Sequence, residues 1–286
     1  MKSKHAFHWT LLIPELIFLL LFLVFPIVLL FFISFQNQDA YMQLRPGFTI
    51  TRYAAVLTQW KYLKGILVTL GIAFLTTAIV LVLSYPAAYL LACAPSRTVR
   101  SVLYVLLVSP LLTSVVVRTF AWIVLLAQNG LVNQVLEMLG IIDKPLALLW
   151  NMGAVILAYV QVMLPFAVMP IATSMAEISP SLQKASMSLG VGRVRSFFEI
   201  TLPLTIPGMV SGGIIVFALT AGSYITPLLV GGGMQPLLPL IIYQQAMQIS
   251  DLRMAAALSI VLLIIVFLII LPVEALLKRW EVKVYG

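Results

Sequence analysis

The sequence predicts an all-α integral membrane protein with six transmembrane helices, and three observations carry that fold class. Of the 286 residues, 62% are hydrophobic and only 9% charged, whereas a soluble domain holds roughly 45–50% apolar and 25% charged residues. Six apolar runs lie at about 11–35, 64–92, 101–127, 148–173, 207–229 and 254–277, each long enough to cross roughly 30 Å of hydrocarbon. Six spans of roughly 22 residues absorb about 130 residues and leave about 150 for loops and tails, so no large soluble domain fits. The whole chain, 1–286, reads as one membrane domain.

Each run has its own justification. Lys2 and Lys4 precede the first, but its length exceeds a signal-peptide core and no small-x-small cleavage site follows, so it stays as span one. The loop at about 36–63 carries Arg45, Arg52 and Lys61 with Asp39, and Lys64 follows it; a loop of that size has room for a short surface helix. Span two contains Pro86 and span four contains Pro165 and Pro170. Each proline removes a backbone donor, which kinks a helix unless neighbours compensate. Gly208, Gly212 and Gly213 in span five permit close approach of another helix. In the last external loop, Gln244, Gln245, Gln248 and Asp251 contact a partner or solvate a surface helix.

With both termini in the cytoplasm, ten basic residues lie inside and six outside, which is the orientation the positive-inside rule favours. With Arg118 they make 17 basic residues against 9 acidic ones, a net charge of +8, which in a membrane protein serves orientation and lipid headgroups and does not indicate nucleic acid. A lone Cys93 and two tail histidines, His5 and His8, build neither an intramolecular disulfide nor a metal site. No nucleophile with a base stands at a span end, so no catalytic residue is assigned. Arg118 is the one charge deep within a predicted span. Burying it costs at least ~2.5 kcal/mol, so it faces protein or water and not lipid. It contacts an anionic substrate group, or it pairs with carbonyls or with an acid of a partner subunit.

The largest cytoplasmic segment, 174–206, is punctuated clearly. Ser179 caps a helix whose first position is Pro180; Leu182, Ala185, Ser186 and Leu189 recur at helical spacing; Gly190 supplies a left-handed stop. A second short helix starts near Arg193, carries Phe197, Phe198 and Ile200, and ends at Leu202 and Pro203. Two short helices with an apolar side call for a partner that covers them.

Lys184, Ala185, Ser186, three residues, Gly190, nine residues, then Ile200, Thr201, Leu202 and Pro203 resembles the Glu-Ala-Ala motif in the penultimate cytoplasmic loop of the permease subunits of bacterial ATP-binding-cassette importers. The chain departs from it at Lys184, where the family usually has Glu, and at Ser186, where it has Ala. The stretches SPLLTSVVVRTFAWIVLL, NGLVNQVLEMLGIID, LPFAVMPIATSM and SYITPLLVGG are similar to the spermidine/putrescine-type branch.

That resemblance implies the type I importer permease fold and a bacterial inner-membrane location. It implies a second permease subunit of different sequence, two ATP-binding subunits that hold ATP and Mg, and a periplasmic solute-binding protein, with no cofactor on this chain. The solute it implies is small and polar: a polyamine, an amino-acid-like compound or a phosphonate. It makes Glu177 to Pro203 the ATPase-coupling segment: the helix from Lys184 to Leu189 docks on the ATPase, Gly190 permits the turn, and Arg193 and Arg195 support the rim. Arg118, Trp122, Tyr224 and Thr226 then line the substrate pathway. The chain carries no G-x-x-x-x-G-K-[ST] loop and does not bind ATP by that route. The alternative, a secondary transporter with no ATPase partner, normally needs intramembrane Asp, Glu or His or an internal repeat, and the sequence offers neither.

Overall fold

The computed structural model describes residues 13–38, 44–188, 190–233 and 235–285. Lys2, Lys4, His5, His8, Asp39 and Leu189, named above, lie outside the described residues, as do the side chains of Arg45, Lys184 and Lys283. Two compact units are formed, one from the described part of Met1–Lys64 with Ile241–Ile265 and the other from Gly65–Leu240 with Val266–Gly286.

In the first unit, α1 (Ile13–Phe35) widens into a π-helical turn at Leu20–Val24. Pro26 explains the widening, because it has no N–H for the carbonyl one turn back. The expected loop after it contains a small antiparallel hairpin, β1 (Gln36–Gln38) with β2 (Leu44–Phe48), irregular between Gln36 and Asn37. The surface helix follows as α2 (Thr51–Thr58). Arg52 corrects its reading as a loop charge: it is only 8% exposed, and its Nη1 donates to the carbonyl of Gln36 at 2.6 Å. Tyr53 and Ser34 share a hydroxyl–hydroxyl bond of 2.6 Å, which ties the same helix to the end of α1. Farther along the chain, Asp251 accepts from the Met254 N–H at 3.0 Å and so caps the last helix.

Helix α3 (Trp60–Ala92) runs unbroken through Pro86. The third predicted run does not form one helix. α4 (Arg97–Val108) stops, residues Ser109–Leu112 form a 3-10 turn holding Pro110, and α5 (Val115–Leu126) restarts with Ser114 accepting from the Val116 N–H at 3.3 Å. Pro110 disfavours helical geometry in the residue before it, and Ser114 offers the fresh cap. Arg118 therefore sits in the first turn of α5, next to a break, and not in the middle of a continuous helix. α6 (Leu131–Met138) follows. Buried Asn133 fastens this stretch by donating to the carbonyls of Ala127 and Leu146 and accepting from the Leu146 N–H.

In the second unit, α7 (Met152–Glu177) is capped by Asn151, which accepts from the Ala154 N–H at 2.9 Å, and it extends past its predicted end into the 174–206 segment. Its buried residues, among them Val155, Tyr159, Ala167 and Ile171, form much of the core. α8 (Pro180–Ser188) and α9 (Arg193–Leu204) make up the rest of that segment, and α10 (Ile206–Gly222) leaves α9 with a bend of 57°. The α10 glycines do pack closely on α7: a Cβ on Gly208 would lie 2.6 Å from the Pro170 carbonyl, and one on Gly212 would lie 3.0 Å from Ala167 Cα. α11 (Ile225–Leu229), α12 (Leu238–Tyr243) and α13 (Leu252–Tyr285) complete the chain. Among the described residues α1, α3, α7 and α13 are by themselves long and apolar enough to cross a membrane, the α5–α6 stretch Val115–Met138 is a fifth such segment, and the bent pair α9 and α10, counted as one span, is a sixth.

Candidate functional site

Two features stand out in the second unit: the α8–α9 segment and a cavity beside Arg118. The first is built by local chemistry. Ser179 accepts from the Ser181 N–H at 3.4 Å at the start of α8. At its end Gly190 takes φ +84°, the Gly190 N–H bonds the Met187 carbonyl at 3.0 Å and the Val191 N–H bonds that of Ser186 at 3.1 Å. This double bond pattern is the Schellman stop, and glycine adopts its left-handed conformation without steric cost.

α9 then turns back beneath α8. Ser186 and Ser196 are both buried and share a hydroxyl–hydroxyl bond of 2.7 Å that clamps the two helices together. Ser186, one of the two motif departures, is thus an inward-facing fastener. Ahead of Pro203 the helix widens at Phe197–Thr201, where the missing proline N–H leaves a carbonyl without its helical donor. The Phe197 ring meets Tyr85 and Tyr89 of α3 edge-on, with centroids 5.7 and 6.0 Å away. The Tyr85 hydroxyl lies 3.1 Å from Thr205 Oγ1.

The opposite side of the segment is open. Leu182, Ala185 and Met187 of α8 and Val194 and Phe198 of α9 are exposed, Val194 to 72% and Phe198 to 59%. Arg193 is exposed beside them, while Arg195 pairs with Glu199 at 2.7 Å on the surface, a geometry that contributes little stability. Ile200, Leu202 and Pro203 are half-buried. Glu177 lines a groove of about 690 Å³ with Ser179, Pro207, Glu281 and Leu182, the last of which it shares with this face. Glu281, near the end of the chain, went unnoticed in the sequence because nothing local links it to residue 177.

The second feature is a cavity of about 350 Å³ lined by Arg118, Val162, Met163, Phe166, Leu219 and Ser223, among others. Nε and Nη1 of Arg118 are buried and have no hydrogen-bond partner among the described residues. One turn along α5, Trp122 donates its indole N–H to Gln161 Oε1 at 3.3 Å. Gln161 was missed in the sequence, although a lone amide four residues before Pro165 in an apolar span is a readable signal. The cavity ends at Ser223 and is lined by neither Tyr224 nor Thr226. Tyr224 is exposed, and Thr226 is buried with its hydroxyl unpaired among the described residues. The structure thus joins Arg118 to the end of α10 but does not gather all four expected pathway residues at one place.

Comparison with known proteins gives a consistent result. Residues 84–283 match the family described as binding-protein-dependent transport system inner membrane component. The chain is 32% identical over 271 residues to the spermidine/putrescine transport system permease protein PotB of Salmonella typhimurium, covering 95% of this chain and 94% of that one. It is 33% identical over 253 residues to PotB of Escherichia coli, covering 88% and 91%. Among solved structures, a bacterial ABC transporter involved in the import of the acidic polysaccharide alginate aligns with a TM-score of 0.75 at 18% identity, over 97% of this chain and 96% of that chain.

Proposed function

The chain belongs to the family of binding-protein-dependent transport system inner membrane components, and from that premise we propose that it forms half of a translocation pathway for a polyamine or a related small polar solute. It is a multi-pass inner-membrane protein and the permease subunit of an ABC importer, with the type I importer permease fold. The solute class rests on the PotB relatives.

In the proposed assembly a second, dissimilar permease subunit completes the pathway. Two ATPase subunits bind and hydrolyse ATP with Mg on the cytoplasmic side, and a periplasmic binding protein delivers the solute. Both termini of this chain lie in the cytoplasm. The open apolar face of Leu182, Ala185, Met187, Val194 and Phe198 carries the coupling part of the proposal. It is borne on helices that the Schellman stop and the Ser186–Ser196 bond hold rigid. An apolar helix face seated in a partner's groove transfers the partner's closure as a rigid push. On the pathway side, Arg118 offers two unpaired nitrogens to an acid of the second permease or to an anionic group of the solute. Among the described residues no Asp or Glu lines this cavity, so in this proposal the carboxylates for a polyamine come from the partner permease.

The test is an Ala185→Asp variant in the assembled transporter. The chain inserts into the membrane at the wild-type level, but the ATPase is released or its hydrolysis no longer drives uptake. Wild-type uptake of labelled spermidine or any other transported solute by this variant contradicts the assignment.

A further inference from the structure

Phe197 is half-buried between the coupling segment and α3. Its ring meets exposed Phe198 of the open apolar face edge-on at 5.2 Å and also stands against two tyrosines one helical turn apart on α3, Tyr85 and Tyr89. Edge-to-face ring pairs at such separations are favoured by the ring quadrupoles and are directional. The end of α9 is held to the same helix, because the Tyr85 hydroxyl bonds Thr205 Oγ1, which itself donates to the Leu202 carbonyl at 2.9 Å. α3 is thus held at two points, by Phe197 within α9 and by Thr205 just past its end. The grip falls beside Pro86, where the helix lacks one backbone bond and bends most readily. Two residues before that proline, Ser84 donates to the Leu164 carbonyl of α7 at 3.3 Å. Leu164 precedes Pro165 and lies between Met163 and Phe166, two residues that wall the Arg118 cavity.

We propose that Phe197 is the positioning residue through which the coupling segment moves span two, its ring wedged between Tyr85 and Tyr89 at the Pro86 hinge. The proposal rests on the reading of 174–206 as the ATPase-coupling segment and adds where the push goes after docking. Displacement of α9 is delivered to α3 at Tyr85 and Tyr89, and the Ser84–Leu164 bond carries it to α7 beside Pro165.

The chain contains its own reporter. Cys93, its lone cysteine, is exposed one turn beyond Tyr89, and its N–H bonds the Tyr89 carbonyl at 2.9 Å. The experiment measures maleimide labelling of Cys93 on this chain within the complete purified transporter, nucleotide-free and then trapped with ATP and vanadate. In the wild type the labelling rate changes by at least about fivefold between the two states, as expected for rigid-element motion. Phe197→Ala removes that change while the ATPase still co-purifies, Phe197→Leu reduces it, and Phe197→Tyr, which keeps the ring edge, restores it. A wild-type response that survives in Phe197→Ala overturns the proposal, as does a wild type with no response. Loss of the ATPase from both Phe197→Ala and Phe197→Leu also overturns it, since Phe197 is then part of the dock or of the fold. The docking variant Ala185→Asp separates the two readings. If it abolishes the Cys93 response and Phe197→Ala does not, the coupling segment stands and only the route through Phe197 fails. If Ala185→Asp also leaves the response intact, the coupling reading itself fails.

Discussion

Arg52 and Arg118 look alike in the sequence, two arginines in a chain with few charges, and the structure gives them opposite roles. Arg52 is spent inside the fold, where its guanidinium bonds the Gln36 carbonyl at 2.6 Å. Burial lowers its pKa and nearby Asp251 raises it. Arg52→Ala leaves that carbonyl short of a charged donor, a loss of about 1.5–3 kcal/mol. A lower melting temperature of the detergent-purified chain is the expected result, with Arg52→Lys recovering part of it. Arg118 is held open, its Nε and Nη1 unpaired among the described residues. Removing a charge-assisted contact of about the same size slows transport roughly 10- to 100-fold, so Arg118→Gln should cut uptake in that range while the ATPase still co-purifies. Arg118→Lys should restore little of it, because a point charge does not replace a planar fork. Uptake at the wild-type rate in Arg118→Gln removes this residue from the pathway.

At the scale of elements, the α8–α9 segment was legible because its signals are local: Pro180 at the start, Gly190 at the stop and Pro203 near the end all act within one turn. Gly190→Leu forces a side chain into φ +84°, which costs about 1–2 kcal/mol. It should uncouple ATP hydrolysis from uptake without lowering the amount of chain in the membrane, a split seen by measuring both in the same vesicles. The contact of α10 with α7 was also readable, from Gly208 and Gly212. Gly212→Leu drives a side chain against Ala167 and should destabilise the purified chain by about 1–3 kcal/mol through overpacking. The break in the third run was not anticipated, because Ser109, Pro110 and Ser114 lie within an apolar stretch that hydropathy alone reads as continuous. The β1–β2 hairpin was missed for a different reason: residues 36–48 show no strict alternation, and their pairing depends on where α1 ends.

For the molecule as a whole, composition identified a membrane protein and the Gly190-to-Pro203 spacing identified the family. The contacts between distant segments were not legible. Phe197 meets Tyr85, Trp122 meets Gln161 and Ser84 meets Leu164 only after the helices have packed, and no period or motif in one segment reports its neighbour. Orientation is the global property that the positive-inside count addresses. With both termini inside, Cys93 lies at the cytoplasmic end of α3. A membrane-impermeant maleimide should label it in inside-out vesicles and not in right-side-out vesicles; the reverse pattern inverts the topology.

The central claim, that this chain transports by taking its energy from a docked ATPase, is tested most directly by purifying the tagged chain from its native membranes in mild detergent and measuring magnesium-dependent ATP hydrolysis. An ATPase and a second permease are expected to copurify, and hydrolysis is expected to fall when Ala185→Asp opens the docked face. A chain that purifies alone and without ATP hydrolysis, under conditions that keep a control importer intact, would contradict it.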